Sequence, residues 1–424
     1  MSKLTEFKLI ITSFHERILP VPSHRELIIP DHEKIITISG VRRSGKTFYF
    51  FQKIKSLLEN NISLEQIVYI NFEDERLFPM TINDLTDLLD AYNELYPHMI
   101  KEKKFFFFDE IQEIEQWQKF VRRLYDQENI SLFITGSSSK LLSGEIPTAL
   151  RGRTLTYKIF PMNFREYLLL KGIELGQNYE FSEQRFLLKK EMSEFIEFGS
   201  FPEVIKETYL KTKILSDYYD LVIFRDIIER YQIRNTFALK TILKYLFTNI
   251  SNLFSLNSFH KIEKNNIKLS INTLSDYISY ILSSELIYFV PIYSSSLKTQ
   301  QVNPVKVYCI DTGLRNAISF KFSKDIGRLV ENVVFVELMR REYEIYYWKQ
   351  KNEVDFLAKK KETLEAFNVC FSDDIIQREV DGLIEIQKNL LVEKVILITK
   401  DISKRIDNIQ CIPLWVWLLE KNDD

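Results

Sequence analysis

Residues Gly40-Val41-Arg42-Arg43-Ser44-Gly45-Lys46-Thr47 fit GxxxxGK[ST] at every position and directly follow the β-branched run KIITIS. Gly40 and Gly45 let the backbone curl until its N–H groups converge on a phosphate. A helix starting near Lys46 turns the positive end of its dipole toward the same anion. Lys46 adds a point charge for the outer phosphates, and Thr47 offers a hydroxyl to Mg²⁺. The segment from Gly40 to Phe48 therefore reads as a nucleotide-binding loop. Asp109 follows Lys46 by 63 residues (109 − 46), and Phe105–Phe108 lead into it and Glu110. An apolar strand that ends in two acids puts Asp109 where it can hold Mg²⁺ and Glu110 where it can polarise water as a general base.

These groups need a scaffold, and the first 160 residues repeat one pattern. Short β-branched or aromatic runs alternate with helical stretches: Lys34–Ser39, Ile67–Asn71, Lys104–Asp109, Ser131–Thr135 and Leu155–Phe160. Apolar strands separated by helices predict an α/β fold, a parallel sheet with helices on both faces. Ligands of such sheets bind at the carboxyl ends of the strands, where both motifs fall.

Composition narrows the rest. The 57 Lys+Arg against 59 Asp+Glu leave a formal net charge of −2, so any nucleic-acid contact needs a local basic patch. Eleven glycines and eleven prolines in 424 residues, about 5% against a usual ~12%, exclude long flexible linkers and collagen-like repeats. The cysteines Cys309, Cys370 and Cys411 are too far apart for a CxxC metal clip. No apolar run approaches the ~18 residues of a membrane span. The expectation is a soluble, cytoplasmic chain with no membrane partner.

The strand between the phosphate loop and the acids, and a glutamate beside the Mg²⁺ aspartate, resemble the AAA+ branch of P-loop ATPases. Taken with GVRRSGKT, YINFEDERL, FFFFDEIQEIEQW, ITGSSSKLL, RGRTLTYKIFPMNFREY, FGSFPEVI, VYCIDTGL and ENVVFVEL, the chain resembles bacterial and archaeal proteins that join an AAA+-type ATPase to a C-terminal domain of unknown function. The resemblance implies ATP and Mg²⁺ as ligands and a polar sensor among Thr135 and Ser137–Ser139. It also implies a homo-oligomer in which Arg151 or Arg153 reaches a neighbour's γ-phosphate as an arginine finger. The expected division is 1–184 ATPase core, 185–310 helical lid and winged-helix-like region, 311–424 nuclease-like domain.

Residues from about 238 to 295 suggest a winged helix, followed by a strand-like pair, Ile287–Ile292 and Val305–Ile310; the third helix of such a fold often enters the DNA major groove. That helix, SINTLSDYISYIL, has no lysine or arginine, although Lys261, Lys264 and Lys268 flank it. DNA and a protein partner are both candidate ligands of this region. The C-terminal part resembles the PD-(D/E)xK nuclease fold, with Glu331 and Asp355 as acids. Asn368 stands where the metal-binding glutamate belongs and Cys370 where the lysine belongs. A neutral amide and a thiol are poor replacements, so the expectation is a degenerate nuclease fold, with Glu365 a possible substitute acid.

Overall fold

The computed structural model describes residues 2–20, 24–136, 150, 152–319 and 326–420. The chain divides into two compact units, 1–160 and 161–424.

In the first unit the five apolar runs form strands β1 (Ile35–Ser39), β2 (Ile67–Asn71), β3 (Lys104–Asp109), β4 (Ile130–Thr135) and β5 (Thr154–Lys158). They pair in the order β2-β3-β4-β1-β5, every pair parallel, as the sequence pattern predicts. Alternation along each strand serves two cores. Val68, Ile70, Phe106, Phe108, Leu132 and Ile134 pack under the helices Leu4–Glu16, Leu85–Leu95 and Trp117–Gln127. Tyr69, Phe105, Phe107 and Phe133 pack on the other face against Phe50, Phe51 and Ile54 of the helix Lys46–Glu59. Phe106–Phe108 are fully buried, each side chain contributing about 2 kcal/mol, so the phenylalanine run is sheet core rather than a surface anchor.

The second unit begins with the helices Phe164–Leu170, Gln184–Phe198, Pro202–Lys206 and Lys211–Val222, the last continuing as π-helix to Glu229. Helices Thr236–Thr248, Leu256–Ile267 and Ile271–Ser283 follow. With them goes a small antiparallel sheet of β6 (Leu253–Phe254), β7 (Ile287–Val290) and β8 (Val305–Cys309), in the order β6-β8-β7. The motifs FGSFP and IDTGL meet here. Asp311 caps the helix Thr312–Ile318 by accepting from Leu314 N, and its other oxygen accepts from Ser200 N at 2.7 Å. Gly199, at φ 72°, lies so close to this carboxylate that a Cβ would overlap it. Burial raises the Asp311 carboxyl to about 6, opposed by these backbone donors.

The remaining sheet contains β9 (Glu344–Lys349), β10 (Glu353–Lys360), β11 (Thr363–Cys370), β12 (Lys394–Thr399), β13 (Lys404–Ile406) and β14 (Ile409–Pro413). Its order is β13-β14-β12-β11-β10-β9, and β11, β12 and β14 run parallel. The helix Gln377–Asn389 packs Val380, Leu383 and Ile386 onto Val354, Leu357, Ala366 and Leu397. Asp355 lies inside β10, because the β9–β10 turn closes at Gln350–Asn352. No helix among the described residues is long and apolar enough to cross a membrane.

Candidate nucleotide site and a buried carboxylate cluster

The phosphate loop leaves β1 at Gly40, whose φ of 149° only glycine adopts readily, and a Cβ there would overlap Ile159 O. Arg43 (φ 68°) and Gly45 (φ 99°) also turn left-handed, curling the chain into the helix Lys46–Glu59. No acid occupies that helix's first turn, so its dipole is uncancelled where an anion would sit. Val41 and Ser44 are buried in the loop; Ser44 Oγ has no hydrogen-bond partner among the described residues. Arg42 pairs with Glu73 at 3.4 Å. Lys46 is buried and folds its ammonium onto Gly40 O (3.0 Å) and Val41 O (3.4 Å), beside the cradle. Phe48 is partly exposed on the helix.

At the end of β3 the acids face this loop. Thr47 Oγ1 donates to Asp109 Oδ2 at 2.7 Å, so the hydroxyl and carboxylate expected to share Mg²⁺ are adjacent. Thr135, at the end of β4, donates to Asp109 Oδ1 and accepts from Glu110 N at 3.2 Å. Burial and the neighbouring Glu110 raise the Asp109 carboxyl above its ordinary range, and the hydroxyls of Thr135, Thr47 and Tyr69 oppose that rise. Glu110 adopts the left-handed conformation at φ 52°, and its Oε2 accepts from Gln112 Nε2 at 2.5 Å. A curled loop, an uncancelled helix dipole and an adjoining hydroxyl–carboxylate pair fit a nucleoside phosphate with its divalent cation. Ser137 and Arg151 lie outside the described residues. Arg153 precedes β5 at the opposite end of the sheet from the loop and is held bidentately by Asp126 at 2.9 and 3.3 Å.

Residues 32–168 match an AAA domain family. Residues 189–325 and 326–417 match two domains of unknown function, DUF8612 and DUF4143. The uncharacterized protein MJ1544 of Methanocaldococcus jannaschii is 38% identical, the match covering 92% of this chain and 89% of that protein. The chain belongs to the MJ1544 family. An uncharacterized protein of Haemophilus influenzae is 33% identical over 92% of this chain and 95% of its own length. Among solved structures, the Aeropyrum pernix ORC1 protein in complex with DNA is 10% identical, with TM-score 0.28, over 74% of this chain and 91% of that one. A likeness that small does not bear on what an MJ1544-family protein binds.

Two residues of the nucleotide site carry no sequence signal. Tyr69 reaches across from β2 and donates to Asp109 Oδ2 at 2.9 Å. Arg25 is buried and donates to Ser44 O (3.0 Å) and Phe160 O (2.6 Å), tying the phosphate loop to the chain after β5.

In the DUF4143 region, Glu331 and Asp355 do come together, around a cation the sequence reading missed. Lys306 on β8, 2% exposed, places its ammonium 2.9 Å from Asp355 Oδ1, 2.9 Å from Glu353 Oε1 and 3.2 Å from Glu331 Oε1. Tyr308 donates to Glu331 Oε1 at 2.7 Å. Burial and Asp355 raise Glu331 to about 8, against Lys306 and Tyr308. Burial pushes Glu353 up, yet Lys306 and Lys349 hold it below its ordinary value. Asn368 sits beside this cluster. It accepts from Asp355 N at 2.8 Å and donates to Glu379 O at 2.8 Å. Cys370 is buried. Glu365 does not substitute: it bonds Tyr343 and lies 3.6 Å from Lys394, and it makes no bond to this cluster. Among the described residues no group of three or more His, Cys, Asp or Glu is arranged to hold a metal.

Proposed function

We propose that this AAA-domain chain binds and hydrolyses Mg-ATP and couples its nucleotide state to conformational change. The observation that carries the reading is the Thr47–Asp109 hydrogen bond, which brings a hydroxyl and a carboxylate to the mouth of the phosphate loop. Lys46 holds the outer phosphates, Thr47 and Asp109 hold Mg²⁺, and Glu110 accepts a proton from the attacking water. Bound Mg²⁺ would neutralise charge on the phosphates. Thr135, bonded to both Asp109 and Glu110, is the sensor candidate at the described end of β4. Arg151 or Arg153 would complete a neighbour's site in a homo-oligomer. Arg153 lies at the far end of the sheet from its own loop, so its role would be in trans. Its exposed pair with Asp126, worth about 1 kcal/mol, is easily exchanged. Steady-state Mg-ATP turnover with and without duplex DNA tests the core of this reading. Wild type should turn over and Lys46→Ala should not; equal rates for the two would overturn it.

For the output of the cycle, work on nucleic acid remains the first reading, with DNA-stimulated turnover and salt-weakened DNA binding as its signs. One observation favours a slow switch that gates a protein partner. The helix Ile271–Ser283, third in the winged-helix-like segment, offers no cation for phosphate. For the nuclease-like domain we expect no cleavage. The carboxylates already share a buried ammonium, and Asn368 supplies an amide where a carboxylate is needed. Purified protein should leave linear and supercoiled DNA intact with Mg²⁺ or Mn²⁺. Cleavage abolished by Asp355→Ala would reverse that reading.

A further inference from the structure

We infer that the second unit carries a ligand site of its own, for a small organic anion with a flat apolar body. The inference is independent of the nucleotide site. Its basis is a cavity of about 410 Å³, the size that encloses a small molecule. One side is built from residues that directly follow three parallel strands: Phe371 after β11, Lys400 and Asp401 after β12, Leu414 and Trp415 after β14. The carboxyl ends of parallel strands are where open α/β sheets bind ligands, because the connecting loops diverge there. Helices Gln184–Phe198, Thr312–Ile318 and Ile326–Arg340 supply the opposite side.

The lining sets the chemistry. Met192, Ile196, Leu329 and Leu414 are buried and give an apolar surface suited to a ring system. Trp415 is buried beside them, with the Lys189 ammonium 6.0 Å from its ring centre. The charged lining is Lys189, Arg315 and Lys400 against Glu197 and Asp401, with Asp373 beside Lys400 closing the balance, so the cations on offer are the two rim lysines. Lys189 pairs with Asp401 at 2.7 Å and Lys400 with Asp373 at 2.7 Å. Both lysines are partly exposed and can turn to an incoming anion. Arg315 is fully buried and bonds Asn316 Oδ1 at 3.2 Å. An apolar body against the floor with a carboxylate, sulfonate or phosphate at the lysines matches both features.

The test uses 8-anilinonaphthalene-1-sulfonate, a flat aromatic sulfonate whose emission rises on entering an apolar site, titrated into the full chain. Ser193 lines the cavity from an exposed position, so Ser193→Trp blocks it without disturbing the core. Lys400→Glu reverses one rim charge on the surface. Wild type should bind one dye per chain, undisplaced by Mg-ATP. Ser193→Trp should abolish binding, and Lys400→Glu should weaken it by ~5-fold. Thermal melts of both variants should match wild type, confirming the fold. The inference is overturned if native protein takes up no dye. It is equally overturned if Ser193→Trp binds as tightly as wild type, or if Mg-ATP displaces the dye.

Discussion

Glu110→Gln should leave ATP bound with affinity close to wild type while lowering kcat by ~10²–10⁴-fold, the usual contribution of a positioned general base. The amide keeps the shape of the side chain and its contact with Gln112, and leaves the backbone bond from Glu110 N to Thr135 Oγ1 intact. What it loses is the ability to accept a proton from water. The backbone at Glu110 is left-handed, a conformation uncommon for a non-glycine residue, so the carboxylate is held in place by its surroundings rather than by local preference. Lys46→Ala should behave differently, because its ammonium serves binding as well as charge stabilisation; both affinity and turnover should fall. Titration with a fluorescent ATP analogue separates the two effects from a turnover assay. Equal rates for Glu110→Gln and wild type would remove Glu110 from the mechanism.

The parts of this protein legible in its sequence are those whose signal is local. A five-residue apolar run specifies a buried parallel strand, and the strands Ile67–Asn71 and Lys104–Asp109 begin and end where their composition changes. The phosphate loop is similarly self-announcing, since its glycines are needed for backbone angles within the motif itself. Groups delivered from a distant element are invisible. Tyr69 and Lys306 act on acids 40 and 49 residues away, and nothing in their own neighbourhoods marks them. FGSFP and IDTGL carry the family resemblance but no chemistry of their own. Their meeting at Asp311, with Gly199 tight against the carboxylate, gives them a structural reason instead. Asn368 accepts from Asp355 N, and the β11 position read as the lysine's holds the buried Cys370. The cation comes from β8, on the other sheet of the unit.

That displaced cation makes Lys306→Met the substitution with the largest expected effect on stability. The ammonium is buried among three carboxylates, and methionine matches its length while removing the charge. Deleting one partner of a buried ionic cluster leaves charge uncompensated, at a cost of about 3–5 kcal/mol. The sign of the pH dependence follows from the groups that remain. Glu331 has a folded-state value raised to about 8, whereas unfolded it ionises near 4.5. Between those values the unfolded chain holds fewer protons, so this group's contribution makes the fold less stable as pH rises through that window. The burial-opposed elevation of the Lys306 ammonium, by Asp355 and Glu331, keeps it charged throughout the same range. Removing Lys306 takes away the main influence holding Glu331 down and steepens the loss. Urea unfolding of wild type and variant, compared at each pH, should therefore show a larger difference at pH ~8 than at pH ~5. Adding Glu331→Gln to Lys306→Met should recover part of the stability by removing one stranded charge. A difference that is the same at both pH values would mean that packing, not charge, sets the role of Lys306.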